Sequence, residues 1–145
     1  MEKRILAIDY GDSRIGIAVS DALHITAQGV GVIKRTKNLD TDIEQIKKYI
    51  KDYDAGLVIL GNPLNLNGEK GKRALVTEEF YEILKDKVEI PVKLWDERLS
   101  TKEAERALEA GGVNWRKKRE VIDMMAAQII LSSYLDYNNN NIGGF

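Results

Sequence analysis

Arg4-Ile5-Leu6-Ala7-Ile8-Asp9-Tyr10-Gly11-Asp12-Ser13-Arg14-Ile15-Gly16-Ile17-Ala18-Val19-Ser20 is the stretch that decides the fold. Arg4 to Tyr10 is a nearly unbroken apolar run, which suits a central strand covered on both faces. Gly11-Asp12-Ser13 is a turn cluster, and Arg14 to Ser20 resumes as a second strand with Ile15, Ile17 and Val19 on one side. So short a connection joins two strands antiparallel. One residue breaks the pattern. Asp9 sets a carboxylate at the end of a strand that should be buried, which costs several kcal/mol unless something compensates the charge.

Reading outward, Gln28 to Arg35 is a third strand in which Val30 and Val32 alternate with Gly29 and Gly31. Leu39, Ile43, Ile46, Tyr49 and Ile50 recur at the helical period. Leu57 to Leu60 is a short apolar strand ending at Gly61, and Asn62-Pro63 opens a loop that runs to about Gly71. Arg73 to Lys87 is a second amphipathic helix with Phe80, Ile83 and Leu84 facing inward, and Ile90 to Trp95 is a fifth strand. Ser100 or Thr101 can cap a helix that stops at Gly111-Gly112, and a last helix runs from about Arg116 to Tyr137. Asn138 to Phe145 has almost nothing to bury and is expected to be a disordered tail (138–145) behind one domain, residues 1–137.

The order β-β-β-α-β-α-β-α-α implies an α/β protein: a mixed five-stranded sheet with helices on both faces, in the ribonuclease H-like order. Strands one, four and five then run parallel and share one C-terminal edge, the place where open α/β sheets bind ligands.

Two further acids interrupt packing residues as Asp9 does. Glu97 follows Val92-Lys93-Leu94-Trp95-Asp96, and Asp123 separates Val121-Ile122 from Met124-Met125-Ala126-Ala127. Asp9 and Glu97 fall at the shared edge. Asp123 lies on the last helix, on one face with Ala126, Ala127 and Ile130, and the small alanines allow that helix close to the sheet. Like charges so near one another repel and favour protonation unless a cation intervenes. With no cysteine and a single histidine, His24, thiolate sites and the usual zinc sites are excluded. Oxygen donors favour Mg²⁺ or Mn²⁺, and two such ions about 3.5–4 Å apart would clamp the attacking and leaving oxygens of a phosphodiester. Asp12 and Asp21 sit at turns, where aspartate serves the backbone; they and Asp96 are weaker candidates.

The net charge of −1 argues against a uniformly basic nucleic-acid binder. It leaves room for local tracks at Lys34-Arg35, at Lys70, Lys72 and Arg73, and at Arg116, Lys117, Lys118 and Arg119. No apolar run approaches the roughly 20 residues that span a bilayer, and Met1 to Arg4 shows no signal-peptide pattern, so a cytoplasmic protein without membrane contact is expected.

At these residues the chain resembles the YqgF-type family of Holliday-junction-resolvase-like proteins, also called pre-16S rRNA nucleases. The resemblance is carried by Leu6 to Gly11 with Arg14 to Ala18, and by Gly61-Asn62-Pro63 with Leu64 to Gly68. It continues in Asp96-Glu97-Arg98-Leu99-Ser100-Thr101 with Ala104, and in Ile122-Asp123 with Ala126-Ala127 and Ile130-Leu131. Asn62 departs from the pattern, which often has an apolar residue there. The resemblance implies a ribonuclease H-like fold and metal-dependent hydrolysis of nucleic-acid phosphodiesters, with Asp9, Glu97 and Asp123 as catalytic and metal-binding acids. The implied substrate is RNA, in 5′-end maturation of pre-16S rRNA within ribosome biogenesis; the alternative is branched DNA, cut as a Holliday junction by a homodimer. Gly11, Arg14, Asn62, Arg98 and Lys102 join the basic clusters as expected phosphate contacts, Arg14 and Arg98 being equally able to pair with neighbouring acids. The sequence leaves two rival readings. One is an ATP-handling enzyme of the sugar-kinase and actin type, which needs two lobes where this chain has one. The other is a non-catalytic RNA-binding or ribosome-associated module.

Overall fold

Side chains alternate along each strand, and the two faces this creates carry different helices. The computed structural model describes residues 3–64, 67–96 and 115–143, with the backbone alone for 115–120 and 140–143. Its elements are β1 (Arg4–Tyr10), β2 (Arg14–Ser20), β3 (Ala27–Lys34), α1 (Leu39–Asp52), β4 (Ala55–Asn62), α2 (Lys72–Lys87), β5 (Val92–Asp96) and α3 (Trp115–Gly143). The sheet order is β3-β2-β1-β4-β5. β1 pairs antiparallel with β2, and β2 with β3; β1 and β4, and β4 and β5, are parallel. This is the mixed sheet expected from the hairpin, with the C-terminal ends of β1, β4 and β5 along one edge.

On the first face, Leu6, Ile8, Ile15, Ile17, Val58 and Leu60 pack under Ile43 and Ile46 of α1 and Phe80 and Leu84 of α2. The second face is built from smaller residues. Ala7, Ala18 and Ile59 meet Ala127, Ile130 and Leu131 of α3. A Cβ built on Gly16 would collide with the Asp123 carbonyl oxygen, and one on Gly29 would sit 3.2 Å from Met124 Cβ. Glycine at both places is what lets α3 lie directly on β2 and β3.

Asn38 caps α1, its side chain accepting from the Thr41 N–H at 3.2 Å. The fully buried Asp42 accepts from the Thr36 N–H at 3.0 Å and the Thr36 hydroxyl at 2.9 Å, fastening the end of the β3–α1 connection to the helix.

The last helix runs to Gly143, past the expected end at Tyr137. Asn139 Nδ2 donates to the His24 carbonyl at 3.1 Å, a tertiary anchor that the asparagine run does not advertise. The helix expected between Thr101 and Gly111 lies outside the described residues. Among the described residues no helix is long and apolar enough to cross a membrane.

Candidate active site

Asp9 stands opposite Gly16 in the β1–β2 register, so its side chain shares the α3 face with Ile5 and Ala7. Because the α3 backbone touches β2 at that same Gly16, Asp123 is brought next to Asp9. The two carboxylates interact. Burial first, and the negative charge of Asp123 second, push the Asp9 carboxyl up from 3.8 to about 6, while Arg73 pulls in the opposite direction. Among the described residues no hydrogen bond reaches the Asp9 carboxylate. Asp123 is held by Arg14, whose Nε donates to Oδ2 at 2.6 Å, the two side chains being 22% and 27% exposed respectively.

Glu97, Arg98 and Lys102 lie outside the described residues. β5 ends at Asp96, which pairs with Asn62 at the same sheet edge as Asp9. Among the described residues, no cluster of three or more histidine or acidic side chains is placed to hold a metal ion. What the described residues do provide is a pair of neighbouring acids, one of them, Asp9, without a hydrogen bond among the described residues, made of hard oxygen donors alone. That donor chemistry fits a divalent cation of the magnesium type and not zinc. His24, with Nε2 2.6 Å from the Lys3 carbonyl, is engaged by the N-terminal end of β1 and takes no part.

On the α2 side of the sheet, the Gly11–Asp12 turn and the first turn of α2 enclose a hollow of about 220 Å³, lined by Tyr10, Gly11, Asp12, Lys72, Arg73, Val76 and Thr77, and the charge of Arg73 is felt at Asp9. Gly11 closes the turn through its N–H on the Arg14 carbonyl at 2.9 Å. A Cβ there would lie 2.8 Å from that same oxygen, so only glycine fits. Lys72 and Arg73 are exposed at the start of a helix whose first turn holds no acid and whose cap, Gly71, offers no side chain. The helix dipole and the two cations therefore act in the same sense, towards an anion.

Three of the expected phosphate contacts have surroundings of their own in the fold. Arg14 is tied to Asp123. Lys70 is paired with Glu78 at 3.0 Å. Asn62 is buried at the end of β4, and its Oδ1 has no hydrogen-bond partner among the described residues. Arg116 to Arg119 occupy the opening turns of α3, upstream of Asp123. Asp21 has the ordinary turn role expected of it, accepting from the Ile25 and Thr26 N–H groups at 2.7 and 2.9 Å.

Arg35, read from the sequence as part of a surface charge cluster, is a brace for the site. Its Nη1 donates to the Gly11 and Asp12 carbonyls at 2.9 and 3.0 Å, and the guanidinium lies 4.4 Å from the centre of the Tyr10 ring, which stacks on Phe80. The only sequence signal for this is an arginine just beyond a strand that borders the turn.

The family RuvX, described as Holliday junction resolvase, matches residues 3–137. The chain belongs to the RuvX family. A protein of Desulfitobacterium hafniense named "Putative pre-16S rRNA nuclease" is 48% identical over 134 residues, covering 92% of each chain. One of the same name from Halothermothrix orenii is 49% identical over 136 residues, covering 94% of this chain and 96% of its own. Among solved structures, the yeast mitochondrial Holliday junction resolvase Ydc2 superposes with a TM-score of 0.59 at 12% identity, over 97% of this chain and 81% of that one. RuvC of T. thermophilus in complex with a Holliday junction substrate gives 0.55 at 13% identity, over 95% and 96%. At such low identity these likenesses show the fold, which is ribonuclease H-like. RuvX membership places the chain in a family of nucleic-acid hydrolases.

Proposed function

We propose that this protein is a divalent-metal-dependent nuclease of the cytoplasm that hydrolyses phosphodiester bonds of RNA, acting in 5′-end maturation of pre-16S rRNA. The observation that carries the reading is the placing of Asp9 and Asp123 side by side at the edge where parallel strands end, with the charge on Asp9 left uncompensated by hydrogen bonds.

Asp9 and Asp123 would hold Mg²⁺ or Mn²⁺, as a two-ion site completed by Glu97, which directly follows the last residue of β5. The bound metal supplies Lewis-acid polarisation of the phosphodiester and lowers the pKa of the attacking water. The protein's own residues supply position. Lys72, Arg73 and the opening turn of α2 draw a substrate phosphate to the hollow at the Gly11–Asp12 turn, which follows Asp9 along the chain, and Gly11 allows the backbone to approach it. Hydrolysis cleaves one P–O bond, with water giving its hydroxyl to phosphorus and a proton to the departing oxygen. No histidine is needed for either transfer, in agreement with the remote position of His24.

The family description favours a second reading, resolution of branched DNA. One experiment tests both: purified protein with MnCl₂ is offered an rRNA precursor and a four-way DNA junction side by side. Selective cutting of the precursor, lost in Asp9→Asn while binding persists, supports the proposal. Selective cutting of the junction supports the second reading. Equal cutting by Asp9→Asn contradicts both.

A further inference from the structure

Arg14 does something at this site other than grip a phosphate. It begins β2 two residues before Gly16, so it shares with Gly16 the face that α3 covers. Its backbone is fixed on both sides, by the Gly11 N–H on its carbonyl and by its pairing with Lys34 of β3. From that fixed base Nε donates to Asp123 Oδ2 at 2.6 Å, and about three quarters of each side chain is shielded from water. A charge-assisted bond so short and so sheltered commits the guanidinium to the carboxylate. Nothing comparable serves Asp9 among the described residues, where Arg73 acts only through its field.

We propose that Arg14 is an internal counter-ion of the carboxylate pair, standing in for part of the positive charge that a divalent cation supplies and competing with that cation for Asp123. The inference rests on the metal-dependent reading above. It explains how two neighbouring acids are tolerated in the metal-free chain, since an unrelieved pair at that position would repel across the β1–α3 contact. It also changes the sense of a substitution. Removing a phosphate clamp weakens substrate binding and leaves the metal alone; removing a counter-ion weakens the metal-free fold and tightens the metal.

The test uses the full chain and MgCl₂ as the only ligand. Melting temperature is measured in EDTA and across an MgCl₂ titration for wild type, Arg14→Met, Arg14→Lys, Asp9→Asn and the Asp9→Asn/Arg14→Met double variant. Arg14→Met should melt a few degrees lower in EDTA, and its Mg²⁺ dissociation constant should fall about tenfold, with Arg14→Lys between it and wild type. The gain in melting temperature from Asp9→Asn in EDTA should be larger in the Arg14→Met background than in wild type, because one repelling charge is removed where no counter-ion remains. Should Arg14→Met alone not fold, recovery of a cooperative transition in the double variant supports the proposal, and failure of both to fold assigns Arg14 a packing role and overturns it. Additive shifts in EDTA with unchanged Mg²⁺ affinity also overturn it. Absence of any Mg²⁺ response in wild type contradicts the metal reading itself, a result separate from the double-variant comparison.

Discussion

Asp42 is buried and Asp9 half-buried, on opposite faces of the sheet, and the fold treats them in opposite ways. Asp42, under the α1 side, receives the N–H and the hydroxyl of Thr36, so its buried carboxylate has donors of its own. Asp9, under the α3 side, receives no hydrogen bond among the described residues and has a second carboxylate for a neighbour. The faces differ in the same sense. One is filled with branched aliphatic and aromatic side chains, the other with alanine and glycine that draw a helix backbone onto the strands. A structural acid brings its own donors, whereas an acid left without them points to an external cation. Under the proposed function, that contrast gives Asp42 a structural part and Asp9 a chemical one.

The contrast breaks most visibly in activity. Asp9→Asn should reduce cleavage by about 10³-fold or more, as expected when a transition-state charge stabiliser is lost, while Asp42→Asn in protein that remains folded should cut within a few-fold of wild type; initial rates on a labelled precursor compare them.

Stability should order the two the other way. The folded chain binds a proton at Asp9 more tightly than the unfolded chain, about 6 against 3.8. The contribution of Asp9 to metal-free stability is therefore fully present below about pH 4 and is lost as pH rises through 6. Asp9→Asn should remove that slope and raise metal-free stability at pH 7 by up to about 3 kcal/mol. Asp42→Ala strands two buried donors and should lower stability by about 2 kcal/mol. Urea unfolding of each variant in EDTA at pH 4.5 and 7 measures both effects. A pH-independent gain for Asp9→Asn, or none, contradicts the account of Asp9.

The smallest effect belongs to the surface. Lys70→Ala removes an exposed ion pair with Glu78 and should change stability by less than about 1 kcal/mol. If RNA binding is followed against salt, Arg73→Ala should reduce the slope of log K by about one while Lys70→Ala leaves it nearly unchanged. Equal slopes for the two variants would place the phosphate path elsewhere.

The features legible in the sequence were those with local causes. The apolar runs of β1 and β4, the alternation along β2, the turn at Gly11 and the helical period of α1 follow from neighbours within a few residues. Asp9 and Asp123 stood out because a charge inside an apolar run needs explaining wherever the chain goes. Asp42 carries no such signal. It sits in the first turn of a capped helix, where an acid is ordinary, and its burial depends on the path from β3. Arg14 could be assigned to a phosphate or to an acid until the contact of Gly16 with α3 set Asp123 within its reach. Arg35 depended on register too. The irregularity between Ile17 and Ala18 shifts the β2–β3 pairing, and no local pattern announces it.

Diffraction from crystals soaked in MnCl₂, with anomalous scattering to locate the ion, tests the central claim most directly. The account predicts manganese bound jointly by the carboxylates of Asp9 and Asp123, with Arg14 still in contact with Asp123 or displaced from it. Well-occupied manganese on other acids, with the Asp9–Asp123 pair bare, would contradict it.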